Sequence, residues 1–293
     1  MTHALDGVGI WSAALRYGDR GEAAAAAAEL EALGYRALWL PDVGGDVFGA
    51  LEHVLRATRD VTVATGILNL WMHEPSETAR EYARLVAAHG RRLLVGIGVS
   101  HAPLIDATEP GRYAHPLART EAYLDALDAI SPTLPSTDRL LAALGPQMLS
   151  LAGAKAAGTH PYNVTPEHTA RARAALGPHR LVAPEQGVVL ETDRDRAREI
   201  ARAFLATYLM LPNYVNNWYR LGFTEADTAD GGSDALVDAL VAWGDVDAIT
   251  ARVQAHFDAG ADHVCIQVLT AETLGVPMTE WRELAPALRD LSA

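Results

Sequence analysis

The residues of this 293-residue sequence that could do chemistry are one aspartate and two histidines. Asp42 follows the apolar Trp39-Leu40-Pro41, and its carboxylate could orient a ligand or accept a proton. His101 and His160 could transfer a proton or hold a ligand by a hydrogen bond. Each also has an ordinary interpretation, Asp42 as a helix cap or turn residue and each histidine as a polar group with a hydrogen-bond partner.

A glycine turn is the second kind of candidate site. Leu144-Gly145-Pro146-Gln147 joins an apolar run to the start of a helix. Glycine lets a ligand approach the backbone, and a helix N-terminus favours a phosphate. The same residues would also suit an ordinary turn between a strand and a helix.

Several common reaction classes lack their residues. No His-x-His or His-Glu-x-x-His pattern occurs, so we expect no metal site. Lys155, the only lysine, falls inside a predicted helix, which disfavours Schiff-base chemistry. The Gly-x-Ser-x-Gly elbow of serine hydrolases is missing, and the lone Cys265 lies in an apolar run typical of the core. What remains is a site with few ionisable groups, where a cofactor supplies the chemistry.

Short apolar runs alternate along the chain with amphipathic helical stretches, and these elements must position the candidates. The rhythm predicts a parallel sheet whose strands are covered on both faces. The predicted strands are 7–11, 37–40, 61–70, 93–98, 140–144, 162–164, 181–183 with 187–190, and 263–268. We predict one α/β domain over residues 1–293, a (β/α)8 TIM barrel with a helical insertion at 212–241 after strand seven. An open doubly wound sheet is disfavoured because no Gly-x-Gly-x-x-Gly follows the first strand.

In such a barrel the working residues lie at the carboxyl ends of the strands. The residues at those predicted positions are Trp11, Ser12, Asp42, Asn69, Leu70, Trp71, Val99, Ser100, His101, Gly145, Pro146, His160, Glu185, Gln186, Gln267 and Thr270. We therefore expect Asp42, His101 and His160 to lie close together at the carboxyl ends of the barrel strands.

Composition argues against several partners and locations. The net charge of −13, without a basic patch, would repel nucleic acid. No run of about 18 uninterrupted apolar residues occurs, so we expect no membrane span. The amino terminus lacks the pattern of a signal peptide, and a single cysteine allows no internal disulfide. We therefore expect a cytoplasmic protein in a reducing compartment.

Seven segments, spread over nearly the whole chain, resemble one family in their order and spacing. They are Gly7-Val8-Gly9-Ile10-Trp11, residues 33–42, Val63-Ala64-Thr65-Gly66-Ile67, residues 95–100, Ala143-Leu144-Gly145-Pro146, residues 158–162 and residues 244–262. In these segments the chain resembles the bacterial-luciferase-like flavin monooxygenase superfamily, and more narrowly its branch of oxidoreductases that depend on the deazaflavin coenzyme F420. The resemblance implies a TIM barrel, a flavin-type cofactor and a homodimer.

The resemblance also implies which residues bind the cofactor. Asp42 and Asn69 match polar positions near the deazaflavin ring, and Gly66-Ile67 matches a strand bulge with a non-proline cis peptide behind the ring. The end of strand four and the glycine turn match backbone contacts, the latter near the phosphate. The cofactor-binding residues that we expect are Asp42, Gly66, Ile67, Asn69, Gly98, Val99, Ser100, Leu144, Gly145, Pro146 and His160.

Two departures from the family pattern leave the catalytic group open. Some relatives have histidine after the strand-two aspartate, where this chain has Val43, and some have glutamate at the end of strand four, where it has His101. The proton-transfer residues of the sugar-phosphate dehydrogenase relatives are therefore missing, as are strand-end lysines for a phosphorylated substrate. The acid or base could be His101, Asp42 or a group on the substrate.

The resulting expectation is hydride transfer between F420 and a small organic substrate. A wall formed by Trp11, Trp71 and the insertion segment 213–218, which ends at Trp218, would favour an apolar or aromatic substrate. Two alternatives stay open. One is an FMN-dependent luciferase-like monooxygenase, and the other, motivated by Val43 and His101, is a cofactor-binding barrel without turnover.

Overall fold

The chain folds around one curled sheet of parallel strands covered by helices. The computed structural model describes residues 5–272 and 274–292. The strands are β1 (Gly7–Trp11), β2 (Ala37–Leu40), β3 (Thr62–Asn69), β4 (Leu93–Gly98), β5 (Arg139–Leu141), β6 (Gly158–Thr159), β7 (Leu181–Val182), β8 (Glu185–Leu190), β9 (Val241–Gly244) and β10 (His263–Val268). Their order in the ten-stranded sheet is β7-β6-β5-β4-β3-β2-β1-β10-β8-β9.

Helices follow most strands, and local sequence explains many of their ends. Asp19 and Asp193 cap α2 and α9, and Gly34, with φ of 95°, ends α2 in the left-handed conformation that favours glycine. The helices are α1 (Ala14–Tyr17), α2 (Arg20–Leu33), α3 (Val47–Ala57), α4 (Pro75–His89), α5 (Ala102–Asp106), α6 (Pro116–Ala129), α7 (Pro146–Lys155), α8 (Pro166–Leu176), α9 (Arg194–Tyr208), α10 (Pro212–Leu221), α11 (Glu225–Thr228), α12 (Asp234–Leu240), α13 (Val246–Asp258) and α14 (Met278–Leu288), with a 3-10 turn at Ser136–Asp138.

The segment 181–190 contacts both ends of the strand order. The backbone N–H of Ala183 donates to the Thr159 carbonyl at β6, and the N–H of Cys265 in β10 donates to the Pro184 carbonyl. Only residues 183 and 184 separate β7 from β8. One continuous piece of chain is therefore hydrogen-bonded to β6 on one side and to β10 on the other, which explains the curl of the sheet.

Burial follows from this arrangement. All residues of β1, β2 and β4 are buried, as expected for parallel strands covered by helices. Residues from the insertion form an apolar cluster of their own with α9, centred on Leu205, Trp218 and Leu240. The insertion is therefore packed onto the sheet as a fixed part of the fold.

The predicted element order is largely confirmed, with two corrections. The strand predicted at 162–164 is wrong: β6 is Gly158–Thr159, and Asn163 has a φ of 54°, which no extended strand accommodates. Val241, predicted as the end of the insertion, instead begins β9, which pairs with β8. The insertion is helical as predicted, since α10, α11 and α12 fill most of it.

No helix among the described residues combines the length and hydropathy needed to cross a bilayer. Residues 1–4, part of the amino terminus interpreted above, lie outside the described residues.

Candidate active site

A cavity of about 410 Å³ lies at the carboxyl ends of the strands. It is lined from below by strand ends and from above by residues of α9 and α10. The expected site residues that line it are Trp11, Asp42, Gly66, Ile67, Gly98, Val99, Ser100, His101, Leu144, Gly145 and His160. Strand-end positions thus bring most of the expected residues into one space.

Four expected site residues, Asn69, Trp71, Pro146 and Trp218, are not among the residues that line the cavity. Asn69 accepts a hydrogen bond from the Trp71 N–H through its side chain, and the Trp71 ring donates to the carbonyl of Val99. Pro146 is the first residue of α7. Trp218 is fully buried and donates to a backbone carbonyl instead of facing the cavity. These residues support the wall, and the structure does not place them on its surface.

Asp42 has a fully buried carboxylate at the edge of the cavity. One oxygen, Oδ2, accepts from the Asn69 N–H at 3.1 Å and lies 3.0 Å from His73 Nε2. Burial works against a charge on His73, but the hydrogen bond and attraction from Asp42 outweigh it and raise the pKa of His73. The other oxygen, Oδ1, is buried without a hydrogen-bond partner. Asp42 therefore has one carboxylate oxygen free to accept a hydrogen bond, and the partly buried His73 holds the carboxylate in place.

Gly66 lines the cavity at a point where β3 departs from regular pairing. The peptide between Gly66 and Ile67 is cis, and the pairing of β3 with β4 shifts register here, both as the resemblance implies. The Trp11 ring donates to the Gly66 carbonyl at 2.8 Å. A Cβ added to Gly66 would lie 2.6 Å from Trp11 Nε1 and 3.0 Å from His160 Nε2. Only glycine fits between these two rings.

We expect Gly66→Ala to lower the free energy of unfolding by about 1–3 kcal/mol, because neither ring can move away without losing a hydrogen bond. Urea denaturation checks this. Gly153→Ala is the matched control, because its added Cβ would meet nothing closer than 3.9 Å and glycine disfavours a helix interior. The control should keep or raise stability. An unchanged Gly66→Ala protein would contradict the tight packing.

His160 is a neutral hydrogen-bond acceptor in the cavity wall. Its Nδ1 donates to the Ala183 carbonyl at 2.8 Å, which leaves Nε2 with its lone pair. The ring stacks on Trp39 with centroids 4.2 Å apart. Burial lowers the pKa of His160 to about 4, so it stays neutral near pH 7. Its Nε2 is buried without a partner, which makes it an acceptor available to a bound ligand.

His101 differs from His160 because its ring is only half-buried and contacts the insertion. Its Nδ1 lies 3.1 Å from the side-chain oxygen of Asn213, and its ring contacts Tyr214 with centroids 5.3 Å apart. Burial lowers the pKa of His101, and this outweighs the opposing hydrogen bond from Asn213. A neutral histidine with a free Nε2 can accept a proton from a substrate.

A group of three tyrosines, Tyr162, Tyr208 and Tyr214, lines the cavity. From the sequence we expected the segment 213–218, which contains Tyr214, at the substrate wall, and we missed Tyr162 and Tyr208 as site residues. The Tyr162 hydroxyl donates to Gln267 at 2.7 Å, so it accepts from the Tyr208 hydroxyl at 3.0 Å. Burial raises the pKa of all three, to about 12 for Tyr208. The tyrosines are therefore neutral, and they give this side of the cavity an aromatic surface with hydroxyl groups.

Arg220 is another cavity residue that the sequence analysis missed. It is the one arginine or lysine among the described residues that line the cavity, and it comes from the last turn of α10. A Cβ added to Gly145 would lie 3.7 Å from a terminal nitrogen of Arg220. The guanidinium thus lies beside the N-terminus of α7, where an anion is favoured even though the first residue, Pro146, has no N–H to donate.

Comparison with known proteins gives a family. A sequence model described as luciferase-like monooxygenase matches residues 7–263. No curated protein gives a significant match.

Solved structures with the same fold include enzymes with different cofactors. An F420-dependent secondary alcohol dehydrogenase in complex with an F420-acetone adduct is 15% identical, with a TM-score of 0.74, covering 98% of this chain and 100% of that one. The coenzyme F420-dependent tetrahydromethanopterin reductase from Methanopyrus kandleri is 18% identical, with a TM-score of 0.73, covering 96% and 97%. The oxygenating constituent of 3,6-diketocamphane monooxygenase from Pseudomonas putida, in complex with FMN, is 13% identical, with a TM-score of 0.69, covering 99% and 98%.

At these identities the structures establish the fold alone, whereas the sequence model spans most of the chain. The chain belongs to the luciferase-like monooxygenase family.

Proposed function

We propose that this protein is an oxidoreductase that transfers a hydride between coenzyme F420 and a small organic substrate. The observation that carries the proposal is one cavity with two histidines in different roles. His160 is a locked acceptor in the backbone-lined wall, and His101 is a neutral histidine with a free Nε2. One wall suits a flat cofactor and the other suits a proton-transfer step.

The residues present fit a flavin-type cofactor. Gly66 brings backbone to the cavity wall, and the buried unpartnered atoms Asp42 Oδ1 and His160 Nε2 are acceptors that a ligand could satisfy. Gly145 and Arg220 would hold a phosphate at the N-terminus of α7. In this arrangement Asp42 and His160 would bind the ring, and Arg220 the anionic end.

When bound, the deazaflavin would supply hydride chemistry. His101 would accept the proton of a substrate hydroxyl at Nε2 in oxidation and return it in reduction. The neutral Tyr214 would orient the substrate oxygen by a hydrogen bond, because the Tyr162 hydroxyl already donates to Gln267 and the Tyr208 hydroxyl to Tyr162. Apolar side chains such as Leu104, Met148 and Leu211 line the same cavity and would exclude water from the reacting atoms. We therefore propose an uncharged, largely apolar or aromatic substrate.

An FMN-dependent monooxygenase is the second candidate, because the matching sequence model describes monooxygenases and one structural neighbour is bound to FMN. Fluorescence titration of the protein with F420 and with FMN separates the two. Tight FMN binding without F420 binding, together with oxygen uptake in the presence of reduced FMN and substrate, would overturn the F420 assignment. Binding of F420 without exchange of its labelled hydride across a substrate panel would indicate a barrel without turnover.

We expect Arg220→Gln to weaken binding of F420 about tenfold, since a hydrogen bond to a charged group contributes about 1.5 kcal/mol. A deazaflavin that lacks the phosphate should bind to the Arg220→Gln protein nearly as tightly as it binds to the wild type. Arg194→Gln, an exposed change on α9, is the matched control. Equal losses for the two deazaflavins would contradict a phosphate at Arg220.

We also propose that the sheet closes as an eight-stranded barrel in a single domain, with β7 and β8 as one strand and β9 as an addition. We propose a homodimer on the family resemblance, and a cytoplasmic location on the single cysteine. Light scattering after size-exclusion chromatography would test the dimer.

A further inference from the structure

We propose that Asn213 is a positioning residue that holds His101 in the tautomer with a free Nε2. The proposal rests on the proposed function of His101 in proton transfer. It adds a specific role for helix α10 of the insertion, because Asn213 is the second residue of that helix.

The hydrogen-bond geometry sets the tautomer. The atom of Asn213 that lies 3.1 Å from His101 Nδ1 is the amide oxygen, Oδ1. An amide oxygen can only accept, so Nδ1 must carry the proton, and Nε2 keeps its lone pair in a neutral ring. This is the nitrogen that the proposed step needs.

The position of α10 is fixed from its other contacts. Trp218 donates from its ring to the Asn163 carbonyl, and Arg171 on α8 donates to the Arg220 carbonyl. Tyr214, next to Asn213, packs against the His101 ring. The helix is therefore anchored beyond Asn213, and the amide reaches His101 from a defined direction.

A neutral partner suits a neutral base. The ionisable groups that share the cavity with His101 are Asp42, His160, Arg220, Tyr113, Tyr162, Tyr208 and Tyr214. Asp106, on the helix that follows His101, accepts from the Tyr113 N–H. An asparagine orients the ring without adding a charge, whereas a carboxylate at this position would stabilise the imidazolium. The amide therefore sets orientation while burial keeps the ring uncharged.

Two variants of the full-length protein test the proposal, Asn213→Asp and Asn213→Leu. Nitrogen-15 NMR of labelled histidine reports the tautomer and the titration of His101 without any need for turnover. We expect Asn213→Asp to raise the midpoint of the His101 titration by about one pH unit or more. We expect Asn213→Leu to give a mixture of tautomers and to lower kcat/KM about 10- to 100-fold.

Asn216→Asp and Asn216→Leu are the matched controls, since Asn216 lies on the same helix and lines the same cavity. They should shift the His101 titration less and keep its tautomer. In Asn213→Asp, turnover at a pH above the raised midpoint should recover toward wild type, which a merely structural role would not produce.

Unchanged His101 tautomer and titration in both Asn213 variants would overturn the positioning role. If Asn213→Leu does not fold, the nearly isosteric Asn213→Asp still decides the question. A changed tautomer in a protein that has no turnover with any cofactor would count against the proposed function and leave the positioning role supported.

Discussion

His101→Gln is expected to lower kcat by about 10²- to 10⁴-fold, the usual contribution of a general acid or base, while F420 binding stays nearly unchanged. Glutamine keeps a polar side chain of similar reach but cannot take up a proton. The cofactor wall, with Asp42, Gly66 and His160, would be intact in this variant. Steady-state kinetics and a cofactor titration on the same preparation measure the two effects separately.

The pH dependence of the rate is a second test of the role of His101. Burial lowers the pKa of His101, so the neutral form predominates above that pKa. Oxidation of a hydroxyl requires the neutral base, so its rate should rise as pH rises through the lowered pKa and then level off. His179→Gln, an exposed change in a turn, is the matched control. If His101→Gln kept wild-type kcat, proton transfer would have to be assigned to Asp42 or to the substrate itself.

The site residues at strand ends could be predicted from the sequence for a physical reason. Parallel strands are short, apolar and bounded by polar or glycine residues, and their carboxyl ends meet on one side of the sheet. Asp42, His101 and His160 each end such a run, and all three line the cavity. Knowing the end of a strand is therefore enough to place its residue.

The cavity residues on helix α10 could not be predicted from the sequence in the same way. Tyr214 and Trp218 are one helical turn apart on α10 and belong to the same apolar cluster, yet Tyr214 also lines the cavity and Trp218 does not. Helical periodicity indicates that both are on a buried face, but not what that face packs against. Asn213 and Arg220 gain their roles only from the angle at which the insertion returns to the sheet.

Short strands were predicted least well. β6 has two residues, too few to give a hydrophobic period that can be recognised, whereas β2, with four residues, was predicted with the same bounds. The pairing of β9 with β8 depends on where α12 ends, which is a tertiary property. The signal that could have found β9 is the apolar Val241-Ala242-Trp243 before a glycine.

Glu185→Gln is expected to stabilise the folded protein by several kcal/mol at pH 9 and by little at pH 5. Glu185 in β8 is fully buried, and burial raises its pKa to about 8, against the weaker opposing hydrogen bond from the Asn163 N–H. The unfolded chain ionises this carboxyl near its ordinary pKa of 4.5. Between pH 4.5 and 8 the folded state therefore binds the extra proton, and stability falls as pH rises.

The size of the change in stability follows from the difference between the pKa of Glu185 in the folded and in the unfolded protein. Each unit of difference in pKa corresponds to about 1.4 kcal/mol, so the full loss is on the order of 4 to 5 kcal/mol above pH 8. Glutamine has the same shape, can still accept from Asn163 and does not ionise, so its advantage should be absent at low pH and complete above pH 8. Urea denaturation at pH 5 and pH 9 measures the difference.

Glu283→Gln, an exposed change on α14, should give nearly the same small effect at both pH values. If Glu185→Gln gave an equal change at pH 5 and pH 9, Glu185 would have to be ionised in the folded state throughout. A negative charge would then lie beside the partly buried Tyr162 and Tyr208 and the buried Cys265, whose pKa values Glu185 already helps to raise. A neutral Glu185 avoids that repulsion.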